Sequence, residues 1–159
     1  MTSTSPPGLL GTWRLERTID DRLAHAELGV VGTTVLDRVG DRIRWHEQGL
    51  LGRTDGTGTP SEVHRTLYVV PPTGPEPGSW WVLFGDGRPF HPWTPGVEVE
   101  HPCGPDLYAG LVEVHGPDAW QVTWHCTGPA KDYTMCSRLT REDGRGRSLA
   151  LTARRPGGR

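Results

Sequence analysis

Three runs of turn-forming residues carry most of the side chains that could do chemistry in this chain. They are Asp86-Gly87-Arg88-Pro89-Phe90-His91, His101-Pro102-Cys103-Gly104-Pro105-Asp106-Leu107-Tyr108 and Gly128-Pro129-Ala130-Lys131-Asp132-Tyr133. Imidazoles titrate near neutrality and can carry protons, stabilise an oxyanion or bind a metal, so His91 and His101 are candidates for acid–base work. The loop between them, with Pro92 and Pro95, could bring the two rings together. Asp106 and Tyr108 stand two apart on what reads as a strand, so a carboxylate and a phenol share a face and could polarise a ligand carbonyl. Asp106 suits capping of the Cys103-Gly104-Pro105 turn equally well. Lys131 and Tyr133 have the parity of the apolar Met135 and Leu139, which predicts them inward and Asp132 outward; a register slip of one residue would exchange them. An inward Lys131 could stabilise an enolate or hold a carboxylate, whereas Schiff-base chemistry would also need a depressed pKa.

An earlier carboxylate joins this group. Glu47 alternates with Ile43 and Trp45 and is expected to point into the same cavity. Desolvation raises a carboxyl pKa and a neighbouring cation lowers it, so Glu47 is either a tuned acid or base or half of a structural ion pair with Arg17 or Arg65. The candidate catalytic set is Glu47, His91, His101, Asp106, Tyr108, Lys131 and Tyr133, and the candidate ligand-binding set is Trp45, Arg65, Phe90 and Trp124. Trp45, Trp81, Trp120 and Trp124 are first of all core material; any that line a cavity favour a planar or apolar ligand. Cys103 lies near His101, but neighbouring positions do not by themselves align a thiolate with a base. No metal site is expected, because His91, His101 and Cys103 lack a metal-ligand spacing.

These side chains need strands to position them. No window carries a sustained helical stripe, while period-two alternation recurs between turn residues. The spacing predicts strands over 10–19, 28–36, 42–48, 63–70, 80–84, 97–101, 107–114, 120–127 and 131–140. The stretch 71–77 reads as a Pro/Gly loop that could serve as a flap. Short strands close in sequence favour antiparallel neighbours, and a barrel of about eight or more such strands can enclose one small ligand. The expected architecture is therefore all-β: a single up-and-down antiparallel barrel of about 8–10 strands over residues 9–141. It is flanked by a flexible N-terminus, 1–8, and a mostly flexible tail, 142–159, with a possible edge strand over 148–153.

At 159 residues the chain is expected to form one domain. Its 22 Gly and 15 Pro approach the composition of disordered chains, but 7 Trp supply the buriable surface such chains lack. The net charge of −2 mixes both signs without a basic block, which argues against nucleic acid. No apolar run approaches the roughly 20 residues of a membrane span, and no secretory leader is evident, so a cytoplasmic location is expected. Cys103, Cys126 and Cys136 are odd in number and unpaired in spacing. In a hairpin about Gly128-Pro129-Ala130, Cys136 falls opposite Val122 or Thr123, too far along from Cys126 to bridge it.

Gly11-Thr12-Trp13 in the first strand, with Arg138 or Arg141 in the last, resembles the calycin pattern, in which a first-strand Trp packs near a last-strand Arg at one barrel end. Together with the three motifs above, the chain from about Gly11 to Arg141 is similar to a calycin-like family of unknown function. The resemblance implies a lipocalin-like barrel and transfers no activity. This chain has Ala130 where that family usually carries a basic residue, so an anion contact at that position would be missing here.

The leading functional expectation is a small-molecule enzyme without a cofactor, whose His, Tyr, Glu or Lys side chains move protons in isomerisation, cyclisation, dehydration or hydrolysis. No P-loop, dinucleotide fingerprint or HExxH motif is present. The alternative is a non-catalytic carrier or sensor of a hydrophobic metabolite or of haem, with a His as axial ligand. A third reading is an interaction module with a solid core. The expected partner under the first two is a small organic molecule.

Overall fold

In a computed structural model, which describes residues 4–75 and 78–142, the chain folds into ten antiparallel strands. They are β1 (Gly11–Asp21), β2 (Ala26–Val39), β3 (Arg42–Arg53), β4 (Ser61–Val70), β5 (Trp81–Phe84), β6 (Pro89–Pro92), β7 (Val99–Cys103), β8 (Asp106–Val114), β9 (Ala119–Gly128) and β10 (Lys131–Arg141). Except for β6 and β7, strands that are neighbours in sequence pair, and β1 also pairs with β10, so the sheet runs β6-β5-β4-β3-β2-β1-β10-β9-β8-β7. This is an up-and-down barrel closed except at one seam, between β6 and β7.

Alternation builds the interior. On β9, Trp120, Val122, Trp124 and Cys126 are buried while the residues between them are more open, and on β3 the inward set is Ile43, Trp45 and Glu47. One end of the barrel is solid. Trp120 is surrounded by Trp45, Trp13 and Trp93 at centroid separations of 5.1, 6.0 and 6.0 Å, all in edge-to-face arrangements favoured by ring quadrupoles. The Arg141 guanidinium lies 4.2 Å from the Trp13 ring centre and donates to the carbonyls of Leu10, Gly8 and Pro117, which ties first strand to last at the barrel end.

The structure departs from the sequence reading in three places. Residues from Thr4 on are docked rather than flexible: a single 3-10 turn, Pro6–Leu9, buries Pro6 and Leu9 over the tryptophan end. Its anchors are hydrogen bonds from Trp13 Nε1 to Leu9 O (2.9 Å) and from Trp93 Nε1 to Thr4 O (2.8 Å). Secondly, β6 is a strand where the sequence reads as a loop. Proline lacks an N–H and is confined to strand edges, and Pro89 and Pro92 mark β6 as an edge strand. Thirdly, the strand expected over 97–101 is β7, displaced to Val99–Cys103. Pro102 makes that the opposite edge, so proline placement explains why the seam is unpaired. The expected tail and its edge strand over 148–153 lie outside the described residues.

The final hairpin has Cys136 facing Thr123, and all three cysteines are free. Among the described residues no helix is long and apolar enough to cross a membrane.

Candidate functional site

The hollow part of the barrel lies at the seam. A cavity of about 580 Å³ is bounded on one side by Phe84, Arg88, Pro89 and Phe90, and on the other by His101, Pro102, Cys103 and Tyr108. Trp124, Tyr133 and Met135 form its back wall and Arg65 its floor. That volume falls within the usual range for ligand sites, about 300–1,000 Å³.

Aromatic rings dominate the wall. Phe90 is stacked between Phe84 (4.4 Å, 14°) and Trp124 (4.8 Å, 16°), and His101 meets Phe84 and Phe90 edge-on at 5.4 and 5.2 Å. The stack depends on Gly110, which pairs with Trp124 across β8 and β9. A methyl group at Gly110 would come within 2.5 Å of the Trp124 ring, so only glycine lets the indole lie against the β8 backbone.

Beneath the cavity lies a buried charge cluster. Glu47 Oε1 accepts from Arg17 Nη2 at 2.8 Å and from Arg65 Nη2 at 2.9 Å, and Oε2 accepts from Trp45 Nε1 at 3.2 Å and the Thr34 hydroxyl at 3.4 Å. Arg17 is further held by Ser137 Oγ at 2.7 Å. Burial pushes the Glu47 carboxyl up, but the charges of Arg65 and Arg17 and the hydrogen bonds from Arg17 and Trp45 outweigh it and hold the pKa below the ordinary value. Burial lowers the Arg65 pKa, with repulsion from Arg17 adding to it and Glu47 opposing it. Glu47 was expected on the cavity wall; it sits behind Arg65 instead, 3% exposed and saturated with partners. The structural ion pair is present with both arginines the sequence offered.

The histidines divide. Both rings pack edge-on against Phe90, so the structure does bring them to one place. His101 lines the cavity, whereas His91 is 2% exposed behind Phe90 and Trp124. His91 Nδ1 donates to Pro92 O at 2.8 Å, which leaves Nε2 as the unprotonated nitrogen. Burial, reinforced by the charges of Arg65 and His101, lowers its pKa to about 4 against the pull of the Pro92 carbonyl, so His91 is a neutral wall residue at neutral pH.

At the rim, Lys131 Nζ lies 3.1 Å from Asp106 Oδ2 and donates to the Tyr108 hydroxyl at 3.3 Å. Asp106 and Tyr108 do share a face, as their spacing predicts, whereas Lys131, expected inward with Tyr133, is 44% exposed and joins them only at the rim. The contacts with Asp106 and Tyr108 raise the Lys131 pKa, opposite to what a Schiff-base lysine requires. Tyr133 lies inside, its phenol pKa raised by burial and by Tyr108 and Cys126 beside it. Asp132 points outward to Arg22 and His125.

Of the ligand-binding candidates, Arg65, Phe90 and Trp124 line the cavity, while Trp45 belongs to the tryptophan core. Sequence reasoning passed over Phe84, Cys103 and Met135 as lining residues. The parity of Met135 with Tyr133 signals its orientation, and the Gly110–Trp124 pairing signals the stack. The described residues of the 71–79 loop do not contribute to the cavity. Among the described residues no group of three or more His, Cys, Asp or Glu side chains is arranged to hold a metal ion.

Residues 9–141 match a sequence family described as a family of unknown function (DUF6314), and the chain belongs to that family. No curated protein sequence matches it significantly. Among solved structures, the S-type phycobiliprotein lyase CPES from Guillardia theta superposes with a TM-score of 0.55 at 10% identity, over 87% of this chain and 91% of the lyase. EF1p2_mFAP2b bound to DFHBI gives a TM-score of 0.49 at 14% identity, over 89% of this chain and all of that one. A de novo designed fluorescence-activating β-barrel gives 0.45 at 15% identity, over 88% and 99%. At such identities the likeness to the lyase concerns the fold alone.

Proposed function

We propose that this protein binds a small, largely apolar organic molecule inside its barrel. The observation that carries the reading is the contrast within one interior: three tryptophans surround a fourth at one end, while the other holds a cavity of about 580 Å³ walled by aromatic rings and floored by Arg65. A core that served stability alone would gain by filling such a space, since leaving apolar surface uncovered forfeits its packing energy. The calycin-like assignment rests on the Trp13–Arg141 contact and agrees with this reading. Three free thiols suit a reducing compartment, so the proposed setting is the cytoplasm.

The test is mass spectrometry of small molecules released from freshly purified protein, with a Met135→Trp variant as control. We expect one metabolite near stoichiometry in the native protein and its loss from the filled variant. Equal recovery from both proteins would place the molecule elsewhere and end the proposal. A visible spectrum of the same sample tests the haem alternative, for which His101 is the histidine on the cavity wall.

A second reading, favoured by the presence of His101, Tyr108 and Tyr133 on the wall, is that the cavity turns its ligand over. In it His101 transfers the proton and a tyrosine hydroxyl polarises the substrate oxygen, in an isomerisation, cyclisation, dehydration or hydrolysis. Glu47 and His91 would act only through Arg65 and the aromatic wall. Incubating the released metabolite with the protein and with a His101→Asn variant decides between carrier and enzyme: a product made by the first and not the second is expected for catalysis.

A further inference from the structure

The charge cluster under the cavity is unbalanced. Two guanidinium groups, Arg17 and Arg65, share the one carboxylate of Glu47, and among the described residues neither arginine is ion-paired with another acid. The cluster therefore holds one excess positive charge below an apolar space. Its two cations differ. Arg17 is 10% exposed and donates to Glu47 from Nη2 and to Ser137 from Nε, while Arg65 is 35% exposed and lines the cavity, which Arg17 does not. Arg65 Nε and Nη2 both point at Glu47 Oε1, leaving Nη1 without a protein acceptor among the described residues. An open guanidinium edge favours an oxyanion that presents two acceptor oxygens, as a carboxylate or a sulfonate does. Arg88, the other cation at the cavity, is already paired with Asp86 at 2.7 Å and is largely exposed, so it does not compete for this role.

We infer that the ligand is an organic anion, an aromatic or otherwise apolar body whose carboxylate or sulfonate docks on Arg65 at the cavity floor. The inference rests on the cavity-binding reading above and adds the polarity and the anchoring residue. Glu47 then acts as a positioning residue: it fixes the Arg65 fork while leaving the cluster one negative charge short. A neutral ligand of the same shape would leave Arg65 Nη1 without an acceptor under apolar surface.

Two fluorescent probes with the same rings test this on the full chain: anilinonaphthalene sulfonate, an anion, and phenylnaphthylamine, which lacks the sulfonate. A hydrogen-bonded charge pair of this kind corresponds to roughly 10- to 100-fold in affinity, and the native protein is expected to prefer the sulfonate by that factor. Arg65→Gln should abolish the preference and keep the neutral probe within about twofold, by the same reasoning. Bound sulfonate should also slow the reaction of Cys103, the exposed thiol on the cavity wall, with a thiol reagent. Equal or tighter binding of the neutral probe to native protein would overturn the anion inference and leave the cavity reading standing. Sulfonate binding that does not protect Cys103 would also overturn it, by placing the anion elsewhere. If neither probe binds, the cavity reading fails first and the inference with it. The native comparison needs no variant, so poor folding of Arg65→Gln would not spoil the test.

Discussion

The two ends of this barrel use the same kind of residue to opposite effect. At the closed end Trp13, Trp45, Trp93 and Trp120 meet edge to face, Arg141 covers Trp13, and the Pro6–Leu9 turn seals the opening. At the seam end Phe84, Phe90 and Trp124 stack face to face, which aligns them into a wall and leaves space beside them. Edge-to-face clusters interlock in three dimensions; parallel stacks extend in one. The difference teaches that aromatic content alone does not distinguish core from cavity, and that ring geometry does.

That contrast can be broken experimentally. Trp120→Ala should cost about 3–5 kcal/mol, the usual range for removing a large buried aromatic, and urea unfolding should show it as a lower midpoint. Met135→Ala, beside space already hollow, should cost clearly less. If the cavity-wall change proved as damaging as the core change, the division into two regions would be wrong. Glu47→Gln comes next, at roughly 3 kcal/mol, because it removes the one carboxylate that the buried Arg17 shares with Arg65; breaking a buried pair by removing one partner typically costs that much or more.

His91 sharpens the comparison through pH. Its pKa of about 4 in the folded chain lies below the ordinary 6.5, so between those values the unfolded chain holds more proton. Stability should therefore rise with pH across that window, by roughly 3 kcal/mol at most, and be fully present above its upper limit. His91→Phe should flatten that part of the profile, measured as the urea midpoint against pH. Glu47 works in the same direction at more acid pH, since a depressed carboxyl pKa loses its contribution as pH falls through it. A smaller effect, about 1–3 kcal/mol, is expected for Gly110→Ala, whose added methyl must push Trp124 off the β8 backbone. Near-ultraviolet circular dichroism would report the displaced indole, and an unchanged spectrum would mean the stack does not depend on that glycine.

Much of the barrel was legible because alternation survives in β1–β4 and β8–β10, where each strand has one face to bury. The seam was not. Pro89 and Pro92 are strong turn formers, and only the tertiary pairing of Trp81 with Pro92 and Val82 with His91 reveals that they mark an edge strand. The Glu47 ion pair could be read from parity, since Arg17 and Arg65 lie on faces that converge with it. Its depth could not, because whether an inward residue meets cavity or core depends on how far along the barrel it sits. Trp45 and Trp124 illustrate this: both point inward, and position along the barrel axis alone puts one in the packing and the other on the wall. His91 and Phe90 are adjacent, yet the strand irregularity between Val82 and Leu83 buries both.

The seam between β6 and β7 has a kinetic consequence. Everywhere else in the barrel, parting two neighbouring strands would break a ladder of backbone hydrogen bonds, each of which must be remade. Across the seam the His101 ring touches those of Phe90 and Phe84 at 5.2 and 5.4 Å, and no strand pairing joins the two edges. Widening that gap costs ring contacts and no ladder, so on the proposed cavity-binding reading a guest would exchange there while the rest of the sheet stays intact, and its residence time would be set by Phe84, Phe90 and His101 rather than by the fold.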